Sequence, residues 1–318
     1  MFRLYFLLAF LIMKIFFDYN LDIQWKPSAI TVAGGNGQGN QLNQLSQPLG
    51  VCFDDRDQTV YVVDYGNHRI VEWKSNATNG QIVTSSDEKG SQLNQLNHPT
   101  DMIIDHRDNS LIIADRGNKR VIRWSRQATV RERIIIRNIE CCGLTMHDDG
   151  SLYVSDAEKD EVRCWKKGET QGTLVAGGNG QGNRLNQLHN PTHLFVTADH
   201  TLYISDTNNR RVMKWTKDAK EGIVVAGGHG QGNRSTQLSV PVGVEVDRFG
   251  QIYVVDYEND RVMCWREGAK EGIIVAGGNG KGQQANQLNY PQGLTMDGRG
   301  NLYIADCMNH RIGKIEIQ

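Results

Sequence analysis

Three groups of residues in this chain have types and spacings that could do chemistry. An aspartate recurs with an asparagine three positions on and an arginine five on: Asp64–Asn67–Arg69, Asp115–Asn118–Arg120, Asp206–Asn209–Arg211, Asp256–Asn259–Arg261 and Asp306–Asn309–Arg311. A carboxylate beside a guanidinium can move protons or hold a cation. Copied this often, the set reads first as architecture: Asx-type turn closure, an asparagine that tolerates left-handed backbone, and an arginine paired with the carboxylate. Glycine-rich runs at Ala33–Gly39, Ala176–Gly182, Ala226–Gly232 and Ala276–Gly282 look like phosphate cradles and fail on spacing. A dinucleotide loop needs glycines at i, i+2 and i+5 opening a helix, whereas Gly35, Gly37 and Gly39 are two apart and run into Asn-Gln-Leu-Asn-Gln-Leu. Gly280-Lys281 is followed by Gly282 instead of Ser or Thr. Metal chemistry would fall to His98, His147 and His193, but their spacing shows no convergent ligand set, so no metal is expected. No Ser/His/Asp nucleophile signature accompanies them.

These residues sit on a repeat that runs through nearly the whole chain. An apolar run ends in Asp64, Asp115, Asp156, Asp206, Asp256 and Asp306, at intervals of 51, 41, 50, 50 and 50 residues, and all but the last copy reach a tryptophan nine positions on (Trp73, Trp124, Trp165, Trp215, Trp265). Each copy resolves into four short strands. Strand a follows a proline, as in Pro-Leu-Gly-Val-Cys-Phe-Asp from Pro48. A polar hairpin leads to strand b, the apolar run before the Asp. Strand c is the Arg-to-Trp stretch and strand d a short run such as Gly222–Gly228. Apolar residues alternate by two, which excludes a helical repeat. Six four-stranded units at a period near 50 predict an all-β fold, a six-bladed β-propeller. Ile30–Ala33 reads as a strand d without a blade, and the last copy stops at Gln318 after strand c. The N-terminal strand is therefore expected to complete blade 6 and close the ring, removing a sheet edge.

The pattern Pro-x-Gly, then apolar-Tyr-apolar-x-Asp-x-x-Asn-x-Arg, resembles the NHL-repeat propellers over residues 27–318. Blade 3 departs from it: Lys159 stands for the Asn, Glu161 for the Arg and Cys141 for the proline. The resemblance implies three kinds of role. Some members are binding scaffolds. Some similar propellers are lyases holding zinc by channel histidines, and related six-bladed ones are calcium-dependent lactonases, so zinc or calcium in the central channel is the alternative to no cofactor. Others are ubiquitin-ligase-associated or RNA-binding adaptors. Against the second, His98, His147 and His193 lie at offsets −1, +6 and +2 from their blade's proline position. Against the third stands a balanced charge of 35 basic and 36 acidic residues, net −1, with no RING-like Cys/His cluster. No nucleic-acid partner is expected.

The first 20 residues read differently. Arg3 precedes an apolar run, Leu4–Met13, broken by Lys14. That is short for a spanning helix and fits a signal peptide, with an uncleaved signal-anchor as the alternative. Sequons at Asn76 and Asn233 fit a secretory route. The expectation is a secreted, or surface-tethered, scaffold whose partner is a protein, glycan or small ligand; a membrane is involved only if the leader is retained. Strand direction puts the ends of b and d on one face, where recognition loops sit on a rigid frame. Asn36, Gln38, Asn179, Gln181, His229, Gln231, Asn279 and Lys281 are its candidate binding residues. The run from Ile136 to Cys141 leaves blade 3 almost without a loop, and partner contact is expected near that notch. The Cys164 and Cys264 slot holds charged side chains in other blades, which suggests partial exposure. These two are too far apart in the ring to bridge.

Overall fold

The computed structural model describes residues 24–84, 88–126 and 132–318. The expected leader over residues 1–20 lies outside the described residues, as do Ser85, Ser86 and Asp87 of the loop entering blade 2.

Six four-stranded antiparallel sheets stand around a ring. Their innermost strands, Pro48–Asp54, Asp101–Asp105, Cys141–Met146, Pro191–Val196, Pro241–Val246 and Pro291–Met296, neighbour one another in that order, and the last returns to the first. Strand b is buried at every position in all six blades, for example Thr59–Asp64 and Leu302–Asp306. Packed between neighbours on both faces, it reads as a continuous apolar run instead of an alternating one, as a strand covered on both sides must. Strand d begins exposed and only its end is buried, as in Ile223–Gly227.

The Pro-x-Gly signature marks a bulge. The register of strands a and b slips between Pro48 and Val51, and again between Pro241 and Val244. The glycine lies where neighbouring inner strands touch: a Cβ on Gly243 would come within 2.6 Å of the Gln292 carbonyl oxygen, and one on Gly293 within 2.5 Å of that of Leu49. A side chain there needs the gap to open, which makes the two exceptions, Asp101 and His193, notable.

Ring closure is as expected. Ile30–Gly34 pairs with Arg311–Ile315, with Ile30 opposite Lys314 and Gly34 opposite Arg311, as the outer strand of blade 6. Ala33, Leu45, Val62 and Trp73 then pack with Tyr303, Ala305 and Ile312 in one buried cluster across the seam. Each of the other five blade junctions holds a cluster of the same kind. The blade tryptophans 73, 124, 165, 215 and 265 are all buried in these junctions, as packing anchors.

Candidate functional site

The recurrent triad is a clamp on the loop before it. In blade 1, Arg69 Nε donates to Asp64 Oδ2 at 2.7 Å with both side chains fully buried. The guanidinium also donates to the carbonyls of Asn40, Gln41 and Gln44 in the glycine-rich loop. Asn67 Nδ2 bridges Asp64 Oδ2 and the Gly39 carbonyl, and the Ser46 N–H donates to Asp64 Oδ1. Burial pushes the Asp64 carboxyl upward, against the pull of Asn67, the Ser46 N–H and Arg69. Arg120, Arg211, Arg261 and Arg311 make the same contacts in their blades.

One expectation is corrected here. The left-handed residue of the corner is the one after the asparagine: His68, Lys119, Arg210, Asp260 and His310 have φ between 48° and 56°. The asparagine itself closes a 3₁₀ turn with its amide spent on the aspartate and the loop.

Blade 3 explains the rule by exception. Strand d of blade 2, Arg133–Arg137, runs almost directly into Cys141, so there is no loop to clamp. Lys159 reaches Asp156 at 3.4 Å, and Glu161 turns to Arg163 at 2.6 Å. On this notch lies a charged group instead of amides: Arg116 with Glu140 at 2.8 Å, and Lys119 with Glu158 at 2.7 Å.

The eight candidate binding residues are exposed and on the loop face. Most of their amides are spent inside their own loops. Asn36, Asn179 and Asn279 donate to the carbonyls of Asn43, Asn186 and Asn286. Gln38 donates to Ser46 Oγ, and Gln231 to Ser239 Oγ and Glu258. The Lys281 ammonium sits 3.7 Å from the Tyr290 ring centre. Gln181 and His229 complete the set. Asn233 is also exposed on this face, and Asn76 is exposed beyond strand c.

The three histidines named from sequence lie in three places. His98 is at the blade 1–2 corner on the loop face, its ring edge-on to His68 at 4.4 Å. His193 occupies the glycine slot of blade 4, with both ring nitrogens buried and without a partner among the described residues, and burial pushes its pKa down to about 4. His147 is on the opposite face, in the a–b hairpin of blade 3, stacked on His200 at 3.7 Å. Burial lowers the His147 pKa, but the Ala198 carbonyl and Asp149 outweigh it and the net direction is upward. His200 is lowered by burial and by His147. Asp149 is held well below the usual carboxylate range, chiefly by the Ser151 N–H and by His147. Sequence reasoning missed His200; the available signal was a second histidine in the equivalent hairpin of the adjacent blade.

Cys164 and Cys264 are buried, which corrects the expected partial exposure. Their slot faces the next blade, where Cys164 packs with Tyr153, Leu202 and Trp215. Longer side chains such as Lys214 leave the same slot by extending their charge to solvent. All six cysteines are free thiols.

The NHL repeat matches residues 45–73 and 288–315. No curated protein matches the sequence. An auxiliary nutrient binding protein from Bacteroides thetaiotaomicron aligns with 92% of this chain and 77% of its own, at TM-score 0.71 and 17% identity. Virginiamycin B lyase from Staphylococcus aureus aligns with 88% of this chain and 98% of its own, at TM-score 0.55 and 12% identity. A chain of the nidogen/laminin complex aligns with 71% and 78%, at TM-score 0.57 and 18% identity. At such identities the likeness is one of fold, and fold does not assign function.

Proposed function

Since the chain is an NHL-repeat β-propeller of six blades, we propose that it is a secreted or surface-tethered recognition scaffold. Its loop face binds a protein, glycan or small ligand. One observation carries this reading: five exposed loops are each held from beneath by a buried Asp–Asn–Arg clamp. Loops ordered before contact lose little entropy on binding, and a rigid frame with varied loops is where recognition sits. The notch at blade 3, where the loop is missing, is where the partner makes contact. Its mixed charges, Arg116, Lys119, Glu140 and Glu158, favour specificity and orientation over raw affinity. The apolar leader and the exposed sequons at Asn76 and Asn233 support the secretory route. A glycan on Asn233 would keep a partner toward the blade 1–3 side of the same face.

The test is expression of the full chain in secreting eukaryotic cells, with intact mass on the recovered protein. The purified protein is then applied to panels of glycans and extracellular proteins. Loss of the leader mass, a glycan increment, and binding abolished by Arg116→Ala with Gln38→Ala at unchanged Tm would support the proposal. Retention inside the cell, or binding indifferent to loop-face substitutions, would overturn it.

A further inference from the structure

We propose a divalent transition-metal site on the face opposite the recognition loops, built by the a–b hairpins of blades 3 and 4. Its ligands are His147 Nδ1, the Asp149 carboxylate and His200 Nε2, whose donor atoms all lie within 4.8 Å of one another. His147 Nδ1 is 3.0 Å from Asp149 Oδ1, and His200 Nε2 is 3.6 Å from Asp149 Oδ2. Ligands about 2.0–2.1 Å from a tetrahedral zinc ion are about 3.3 Å apart, so these spacings bracket the edge of such a polyhedron.

A second observation points the same way. The nitrogen that each imidazole would not use for the metal is already engaged. His147 Nε2 lies 3.0 Å from the Ala198 carbonyl oxygen, and His200 Nδ1 is 2.8 Å from the Tyr153 hydroxyl. Nε2–H donation to Ala198 fixes the His147 tautomer with its Nδ1 lone pair toward the site, where it accepts the Asp149 N–H at 3.2 Å, a bond that the metal would replace. Ring nitrogens anchored on the far side are the usual support for metal-binding histidines. The two rings are stacked, 24° apart. For both lone pairs to meet one ion, this angle must widen about the anchors. Two imidazoles and a carboxylate suit zinc, copper or nickel better than calcium, which prefers an all-oxygen shell.

Three protein ligands leave one tetrahedral position open. A cavity of about 210 Å³ adjoins the cluster, with Asp149, Tyr153 and His200 on its wall together with Cys164, Glu169 and Asp218. The open position therefore belongs to water or a small ligand entering that cavity.

The experiment is calorimetric titration of the metal-free full chain with zinc chloride, with cobalt(II) absorption as an independent readout of imidazole ligation. One ion per chain is expected, with intense visible cobalt bands. Binding should weaken at least about 10-fold in Asp149→Asn and in His200→Gln, roughly the loss of one ligand contact. It should be unchanged in His98→Gln. Thermal melts of each variant without metal separate ligand loss from misfolding. The double variant His147→Gln/His200→Gln still binding one zinc, or the parent binding none, would overturn the site. Neither result bears on the loop face, which lies across the disc.

Discussion

His310 Nδ1 accepts a hydrogen bond from the Gln47 N–H at 3.2 Å, across the seam where the first and last blades meet. The same clasp joins other neighbours. His68 Nδ1 accepts from the His98 N–H at 3.1 Å, and Asp160 and Asp260 accept from the Asn190 and Tyr290 N–H groups at 2.7 Å. In each case the acceptor is the left-handed residue between Asn (Lys159 in blade 3) and Arg, or Glu161 in blade 3, and the donor precedes the next blade's proline. That N–H would otherwise face a ladder already ended by proline. The clasp thus ties one blade's corner to the next blade's entry.

Histidine can serve here only while Nδ1 is unprotonated, so the clasps at His68 and His310 should make folding acid-sensitive. Burial is the first cause that lowers both pKa values below the ordinary 6.5. The unfolded chain then takes up the proton first, and stability is present above about pH 6.5 and lost as the pH falls toward the folded values. His310→Asp copies the acceptor that blades 3 and 5 use. Its melting temperature relative to the parent should rise on going from pH 7.5 to pH 5.5. His310→Leu should cost about 1 kcal/mol at neutral pH, the usual net value of one such bond. A parallel decline of parent and His310→Asp with acid would remove His310 as the source.

The clamp predicts a sharp contrast between blades. Arg69→Ala leaves Asp64 buried without its cation and frees three loop carbonyls. Breaking a buried pair by removing one partner costs about 3–5 kcal/mol. Arg69→Lys should recover little of it, since an ammonium cannot reach the carboxylate and the separate carbonyls together. Lys159→Ala in blade 3 removes an exposed contact with no loop above it and should cost under about 1 kcal/mol. Urea unfolding of the three variants measures the difference. Equal losses at Arg69 and Lys159 would show that the arginine is not holding its loop.

The parts of this fold that were legible in sequence are those that repeat. The period of strand b, the unpaired strand at Ile30 and the missing loop before Cys141 all follow from comparing copies, because every blade must bury the same faces. What was not legible crosses between blades at variable positions. The Gln47–His310 clasp joins two residues that no single copy contains, and its acceptor alternates between His and Asp. His200 was missed for a related reason: its partners come from the preceding blade. Cys164 misled because lysine and arginine in its slot extend to water while a thiol has no such reach. On the loop face the candidate residues are exposed, but Asn36 and its equivalents hold their own loops together.

Glu245, on the innermost strand of blade 5, should make the protein sensitive to base. Burial pushes its carboxyl up to about 8. A raised folded pKa means that the folded state keeps a proton the unfolded state has released. Its contribution is complete below the unfolded value of 4.5 and is lost as the pH rises through about 8. Glu245→Gln keeps the shape without the charge. Its melting temperature should exceed that of the parent at pH 8.5 and match it near pH 4.5. Identical pH profiles for the two proteins would place a hydrated, ordinary carboxylate at this position.

Were the chain secreted as proposed, its six free thiols would need protection from oxidation, and burial supplies it here. Cys141, Cys142, Cys164, Cys264 and Cys307 are buried and Cys52 is half-buried. Desolvation pushes Cys52, Cys264 and Cys307 up to about 12 and Cys142 to about 11. The thiolate is the reactive form, so these side chains are poor nucleophiles and poor targets for oxidants while the ring is closed. A chromogenic disulfide reagent at pH 8 should react slowly with the native protein, at a rate that follows opening of the blades. In concentrated guanidinium all six should react at once. Dithiothreitol should leave the melting temperature unchanged, since no bridge is there to cut. A thiol that reacts rapidly in the folded protein, or a melting temperature that falls on reduction, would contradict this account.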